Sequence, residues 1–276
     1  MPELPEVQTI VDDLKSDHLI GAKIVKAEIY LPKAIDKPTP SLFCQQVANQ
    51  MIQNVSRRGK YIIFTLKTEI MLIHLRMSGR LILDRSKKQA PHERVRFILG
   101  DGRFLKFEDQ RKFGRISLLK DPEEKLSKLG VEPLSPEFTL AYFKKLLTNK
   151  KTKIKAVLLN QNILAGLGNI YADETLWEAK IHPERRANTL SDEEIKSLHQ
   201  AIRKILKLAI EFKGTSLGNT RANFHSSTGK RGGNKSNLSV YKRQNQPCLR
   251  CGTQIIKIVS SQRGTHFCPV CQLYFS

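Results

Sequence analysis

The stretch LLNQNILAGLGNIYADETLW, residues 158–177, carries the reading from which the rest of the chain can be organised. Its apolar spacing ends one helical pattern near Gln161 and begins another at Ile170, with Gly166 and Gly168 between them. Two helices joined by so short a turn form a helix-turn-helix of some kind. Asn169 falls at the expected N-cap of the second helix, where unpaired backbone N–H groups and the helix dipole favour an anion such as phosphate. An N-cap asparagine also has a purely structural use. The small glycines beside it, which let a sugar-phosphate backbone approach, weigh toward the anion.

Beyond this stretch, no acid follows Glu211, whereas Lys213, Arg221, Lys230, Arg231, Lys235, Lys242, Arg243, Arg250, Lys257 and Arg263 do. Charge of one sign repels itself unless neutralised, and phosphate binding releases counterions in return. The whole chain shares the bias: 276 residues hold 47 lysines and arginines against 26 acids, a formal charge of +21. Composition is otherwise that of a globular protein, which excludes disorder and leaves a polyanion as the natural partner. No apolar run approaches the roughly 18 residues of a membrane span, and MPELPEV lacks the basic-then-apolar pattern of a signal peptide. The expectation is a soluble, cytoplasmic protein without a membrane partner. The run Lys144, Lys145, Lys150, Lys151, Lys153 and Lys155 reads as a solvated helix face.

Four of five cysteines, Cys248, Cys251, Cys268 and Cys271, form a C-x2-C-x16-C-x2-C pattern. That spacing is expected of a tetrathiolate zinc site, in which four protein ligands leave no position for a substrate water, so the zinc is structural. Cys44 reads as a small buried hydrophobe. Between the cysteine pairs, IIKIVSSQRGTHF reads as two strands joined near Gln262-Arg263-Gly264, placing Arg263 at a hairpin tip suited to a phosphate or minor-groove contact.

Toward the N-terminus, Val7, Ile10, Val11 and Leu14 predict an amphipathic helix over 5–17, with Pro5 in its first turn. From there to about residue 120, short β-type runs follow: KIVKAEI, KYIIFTLK, IMLIHLR, RLILD, RVRFIL, RFLKFE and RISLLK. Asp101-Gly102 predicts a two-residue hairpin loop. A β-sandwich or barrel-like domain results. Helical patterns at about 137–148, 152–161, 170–180 and 192–212 follow a proline-bearing crossing, and 214–247 reads as a long mobile loop with few apolar anchors.

Removal of Met1 exposes the secondary amine of Pro2 beside Glu3 and Glu6. A free α-amine has a pKa of about 7.7–8.0, so unprotonated nucleophile is available at neutral pH. A secondary amine attacking an aldehyde-like carbon gives an iminium, an electron sink that eases cleavage of neighbouring bonds.

MPELPEV at 1–7, SRRGKYIIF at 56–64, HLRMSGRL at 74–81, DQRKFGR at 109–115, AGLGNIYADE at 165–174 and the finger ending THFCPVCQ occur in the order of the formamidopyrimidine-DNA glycosylase family, which the chain resembles over nearly its whole length. The resemblance implies a multi-domain α+β protein. It has a β-sandwich domain with an opening helix at 2–131, a helix-two-turn-helix domain at 132–222, a mobile lesion-capping loop and linker at 223–247, and a four-cysteine zinc finger at 248–276. It implies a bifunctional glycosylase and abasic-site lyase for oxidised purines, acting as a monomer on damaged double-stranded DNA, with one structural zinc ion and no organic cofactor.

Carried over by position, Pro2 is the nucleophile at C1′, Glu3 the acid/base that helps open the sugar, and Glu6 a supporting carboxylate. Lys60 and Arg263 complete the catalytic set, and His74, Arg111, Asn169, Tyr241, Arg243 and Arg263 face DNA. Met77, Arg111 and Phe113 fill the void left by an extruded base, whose unstacking costs a few kcal/mol. Met77 and Phe113 read as ordinary core candidates without the family. Where many members have a Gly-Thr-Thr-Leu-like run and a basic-acidic pair, Gly214-Thr215-Ser216-Leu217 leads here into Gly218-Asn219, with Arg221 displaced, and Lys242 stands where glycine is common. An endonuclease VIII-like enzyme for oxidised pyrimidines and an inert DNA-binding paralogue are the alternatives.

Overall fold

The computed structural model describes residues 1–218 and 224–274, and the chain divides into two compact units. Asn219 and Arg221 of the atypical run lie outside the described residues.

The first unit comprises residues 1–127 and 212–235. Helix α1, Leu4–Ser16, forms where the apolar spacing places it, and Val7, Ile10, Val11 and Leu14 are all buried. Each contributes about 1.5–3 kcal/mol relative to exposure. The chain continues through β1 (Ile24–Ile29), β2 (Ile35–Lys37), α2 (Pro40–Val47), β3 (Ile52–Arg58), β4 (Tyr61–Leu66), β5 (Ile70–His74), β6 (Gly79–Asp84), β7 (Glu93–Leu99), β8 (Phe104–Asp109) and β9 (Arg115–Leu119) to the short α3 (Glu123–Leu126).

The strands make a four-stranded sheet, β1-β7-β8-β6, and a five-stranded sheet, β2-β9-β5-β4-β3. One core joins Phe97, Leu105 and Phe107 of the first sheet to Phe64, Ile73 and Ile116 of the second, with α1 and α2 contributing Ile10 and Phe43. This is the expected sandwich. The β7–β8 connection is one residue longer than expected: Leu99 N–H donates to Arg103 O at 2.9 Å, and Gly102 takes φ +80°. Only the second of the two expected turn residues needs a left-handed backbone, the pattern of a three-residue loop closed by a glycine.

The second unit comprises residues 128–211 and 236–276, described to 274. Helices α4 (Leu140–Thr148), α5 (Ile154–Leu159), α6 (Asn169–Glu178) and α7 (Asp192–Glu211) precede the antiparallel hairpin β10 (Ile256–Ser260) and β11 (Arg263–Phe267). Ser261 and Gln262, at φ +51° and +57°, form its two-residue turn, so Arg263 opens β11 immediately after the tip.

Helix α5 ends at Leu159, earlier than expected, because the Gln161 side chain takes over the turn. Its Nε2 donates to Leu159 O and Leu167 O, and its Oε1 accepts Gly166 N–H. The N-cap of α6 is Gly168, with extended backbone, which makes Asn169 the first helical residue rather than the cap. Among the described residues no helix is long and apolar enough to cross a membrane.

Candidate active site and nucleic-acid interface

In the first unit, chemistry gathers at the N-terminus of α1. Glu3 and Glu6 are 3% and 1% exposed. They form a capping box in which Glu3 N–H donates to Glu6 Oε2 at 2.8 Å. Glu6 Oε1 accepts Thr215 N–H at 2.8 Å, so one carboxylate joins the helix start to the chain after α7. Gly214, at φ +77°, packs tightly here: a Cβ would be strained and would stand 3.0 Å from Glu6 Cγ, so a side chain would push the carboxylate aside.

The α-amine of Met1 lies in this pocket of charge, and burial lowers its pKa below the ordinary 8.0. Glu3 and Glu6 oppose that shift, while Lys60 and Arg111 reinforce it. Pro2 is buried beside the exposed Met1. Lys60 sits in the β3–β4 turn and is 5% exposed, so it is not the exposed strand lysine that its sequence context alone suggests.

His74, at the end of β5, is half-buried and neutral: burial, with Arg76 and Lys60, lowers its pKa to about 3. Its Nδ1 accepts Arg76 N–H at 3.0 Å, which leaves the proton on Nε2, a single donor suited to a phosphate oxygen. Met77 and Phe113 are not core residues. They stand 39% and 48% exposed, and the Arg111 guanidinium lies 5.0 Å from the Phe113 ring centroid.

The second unit holds Asn169 and Arg263 on one braced surface. Asn169 Nδ2 donates to Gly264 O at 2.8 Å, directly after the exposed Arg263, and retains a second hydrogen for another acceptor. Beneath them lies a polar cluster that the sequence reading missed. Lys155, expected on a solvated face, is fully buried; it pairs with Asp173 at 2.6 Å and donates to Thr265 Oγ1 at 2.7 Å. Asp173 Oδ2 accepts His266 N–H at 2.9 Å. The available signal was Asp173 itself, an acid flanked by the apolar Ile170, Tyr171, Ala172, Leu176 and Trp177 in a helix buried on nearly every side, and such an acid requires a buried partner.

Replacing Lys155 by methionine leaves Asp173 buried without its counter-charge. The expected cost is about 3–5 kcal/mol. It is read as a lowered urea midpoint with the finger hairpin released; an unchanged midpoint would show that the pair does not brace the surface.

Glu174 accepts the N–H groups of Ser239, Val240 and Tyr241 at 2.8, 3.0 and 2.8 Å, and its complete burial pushes its pKa up to about 7. Tyr241 packs edge-on against His266 at 5.0 Å between centroids. Arg243, expected to face DNA, also staples its own turn. Its Nε donates to Gln246 Oε1, Nη1 to Ser239 O and Nη2 to Pro247 O, because the turn at 239–247 leaves these acceptors without a ladder partner. Lys242 takes φ +58°, which accounts for the glycine common at its position.

The described parts of 214–247 are also tied down more than expected. Polar bonds do this where apolar anchors are few: Ser216 Oγ donates to Phe224 O, Asn234 Nδ2 to Thr215 Oγ1, and Leu83 N–H to Ser227 O on the edge strand β6.

The four cysteine Sγ atoms lie within 4.8 Å of one another. Trp177 Nε1–H and Arg250 N–H both donate to Cys248 Sγ at 3.4 Å, and Cys271 N–H donates to Cys268 Sγ at 3.4 Å. Such N–H···S contacts favour thiolates, so the donor set fits a tetrathiolate zinc ion.

A sandwich with an amine among buried carboxylates and cations, and a helical turn braced by a four-cysteine finger, define a DNA-processing enzyme class. Three family models match: the formamidopyrimidine-DNA glycosylase N-terminal domain over residues 1–116, its H2TH domain over 129–221, and the zinc finger found in FPG and IleRS over 245–273. The chain belongs to the formamidopyrimidine-DNA glycosylase family. It is 48% identical over 274 residues to the formamidopyrimidine-DNA glycosylase of Protochlamydia amoebophila, covering 99% of each chain. It is also similar to Lactococcus lactis Fpg solved with abasic-site DNA, at TM-score 0.90, and to a mutant of that protein solved with Fapy-dG DNA, at TM-score 0.91. Both are 37% identical, with 99% of this chain and 100% of theirs covered.

Proposed function

We propose that the chain is a bifunctional DNA glycosylase and abasic-site lyase of base excision repair that removes 8-oxoguanine and formamidopyrimidines from duplex DNA. The observation that carries this reading is the amino terminus, where the Met1 α-amine has a lowered pKa set by burial and by Glu3, Glu6, Lys60 and Arg111, and the next residue, Pro2, is itself buried. Once Met1 is removed, the Pro2 nitrogen supplies the electron pair.

That pair attacks C1′ of the damaged nucleotide, the C1′–base bond breaks, and the base leaves with those electrons and a proton. Glu3 delivers a proton to the sugar ring oxygen as the C1′–O4′ bond opens, giving an iminium between Pro2 and C1′. Loss of a C2′ proton then expels the 3′ phosphate, and a second elimination expels the 5′ phosphate. Glu6 keeps the helix start fixed by its bonds to Glu3 and Thr215.

Lys60, His74, Arg111, Asn169 and Arg263 serve the DNA: phosphates for all but Arg111, which faces the orphaned base. Tyr241 lines the DNA side of the linker. Met77 and Phe113 enter the vacated stack. The four-cysteine zinc site fixes the hairpin that presents Arg263 and takes no part in the chemistry. The protein works as a monomer in the cytoplasm, on nucleoid DNA, with the four-part division given above.

The deciding assay is single-turnover excision from duplexes carrying either 8-oxoguanine opposite cytosine or thymine glycol. Faster release of 8-oxoguanine, by at least about tenfold, is expected; that ratio is only about 1.4 kcal/mol in the barrier. The reverse order would assign the chain to oxidised pyrimidines, and release of neither to the inert paralogue.

A further inference from the structure

Met77 and Phe113 belong to two different loops of the first unit, one between β5 and β6 and one between β8 and β9. Each has a left-handed non-glycine neighbour, Arg76 at φ +52° and Lys112 at φ +62°. Exposed apolar side chains and left-handed side-chain-bearing residues both cost free energy, so something must hold these loops.

One group reaches both. Asp109, the last residue of β8, is 1% exposed. Its Oδ1 accepts the Ser78 hydroxyl and, at 3.2 Å, Arg111 N–H. Arg111 N–H also donates to Ser78 Oγ at 3.0 Å. Asp109 Oδ2 accepts Gly114 N–H at 2.7 Å. Its own main chain is fixed as well: its N–H donates to His92 O at 2.9 Å, and its carbonyl accepts Arg94 Nε at 2.8 Å. Gly114 is required by this closeness, since a Cβ there would stand 2.4 Å from Phe107 Cζ and 3.2 Å from Asp109 Oδ2.

We infer that Asp109 is a positioning residue that clasps the two loops together, so that Met77, Arg111 and Phe113 enter the DNA stack as one body. The inference rests on the void-filling reading of those three residues. An ionised acceptor shared by donors from both loops orders them before DNA arrives, and ordering that precedes binding is not charged against the insertion step.

Two variants open the clasp from opposite ends. Asp109→Asn keeps an oxygen for Ser78 and Arg111 but turns an amide donor toward Gly114 N–H. Ser78→Ala removes the link on the Met77 side. Melting temperature reports folding for each. The readouts are single-turnover excision of 8-oxoguanine and the emission of a 2-aminopurine beside the orphaned cytosine, which follows insertion directly.

Either variant is expected to slow excision about tenfold, the usual weight of one charge-assisted hydrogen bond, and to slow the 2-aminopurine change equally. Adding Asp109→Asn to the Met77→Ala, Arg111→Ala double variant is expected to cost less than it does alone, since only Phe113 then remains to be positioned. Full-rate excision by both clasp variants, with Met77→Ala impaired, overturns the clasp and leaves the void-filling reading standing. A loss from Asp109→Asn that persists undiminished in the double-variant background overturns it too. Normal excision by Met77→Ala and by Arg111→Ala overturns the void-filling reading and the clasp with it.

Discussion

Protein that retains Met1 is expected to form no borohydride-stable complex with an 8-oxoguanine duplex, whereas the processed protein with Pro2 at its start is trapped. The expected difference is at least about 10³-fold, because the covalent route is removed rather than slowed. An amide nitrogen at Pro2 has no basic electron pair, and the amine of Met1 is displaced by one residue from the position at which Pro2 presents its nitrogen. The carboxylate partner is separable from the nucleophile.

Glu3→Gln keeps a hydrogen-bonding side chain but has no acidic proton for the sugar ring oxygen, and base release is expected to fall about 10²- to 10⁴-fold. An abasic site already equilibrates with its open aldehyde and does not need that proton. Trapping of Glu3→Gln on an abasic site is therefore expected to survive. Mass spectrometry of the amino terminus alongside the trapping gel checks both expectations; efficient trapping by Met1-retaining protein would remove Pro2 from the mechanism.

Elements that bury a regular apolar stripe are legible in the amino-acid pattern alone. Helix α1 is one, with Val7, Ile10, Val11 and Leu14 on a single face, and β4 another, with Ile62, Phe64 and Leu66 inward. Strand β3 is not, since only Ile52 and Val55 of IQNVSRR are fully buried and it forms by pairing with β4. Strand β2 is three residues held parallel to β9, and α2 buries only Phe43 and Val47, too little for a periodic signal. These elements exist because of partners distant in sequence.

The site divides in the same way. Residue chemistry points to Pro2, Glu3 and the cysteines, but the burial of Lys155 depends on Asp173 and Thr265, which the chain delivers 18 and 110 residues later. The local contacts of Arg243 were not legible for a related reason, because nothing nearby in sequence announces that acceptors of a turn will surround its guanidinium.

Removing zinc is expected to abolish tight DNA binding while leaving the sandwich folded. The finger has little core of its own: Cys248, Ile255 and Cys268 cluster with Trp177 and Val240, and Val259, Val270, Leu273 and Tyr274 are exposed. Apparent zinc-binding free energies of about 10–16 kcal/mol in finger peptides exceed anything so small a cluster supplies. Without the ion, four thiol groups crowded within 4.8 Å lose their common partner and the hairpin loosens.

Gly264 O then leaves Asn169, and Arg263 loses its fixed position. With two phosphate ligands gone, affinity for a lesion duplex is expected to fall about 100-fold at fixed salt. The protein carries its own reporter: Trp177 is its one tryptophan, and its Nε1–H donates to Cys248 Sγ. Chelation, or Cys268→Ser, is expected to shift Trp177 emission to the red in step with metal release and with loss of anisotropy on labelled DNA. Emission and affinity that both stay constant after the metal has left would assign the bracing of this surface to Lys155 and Asp173 alone.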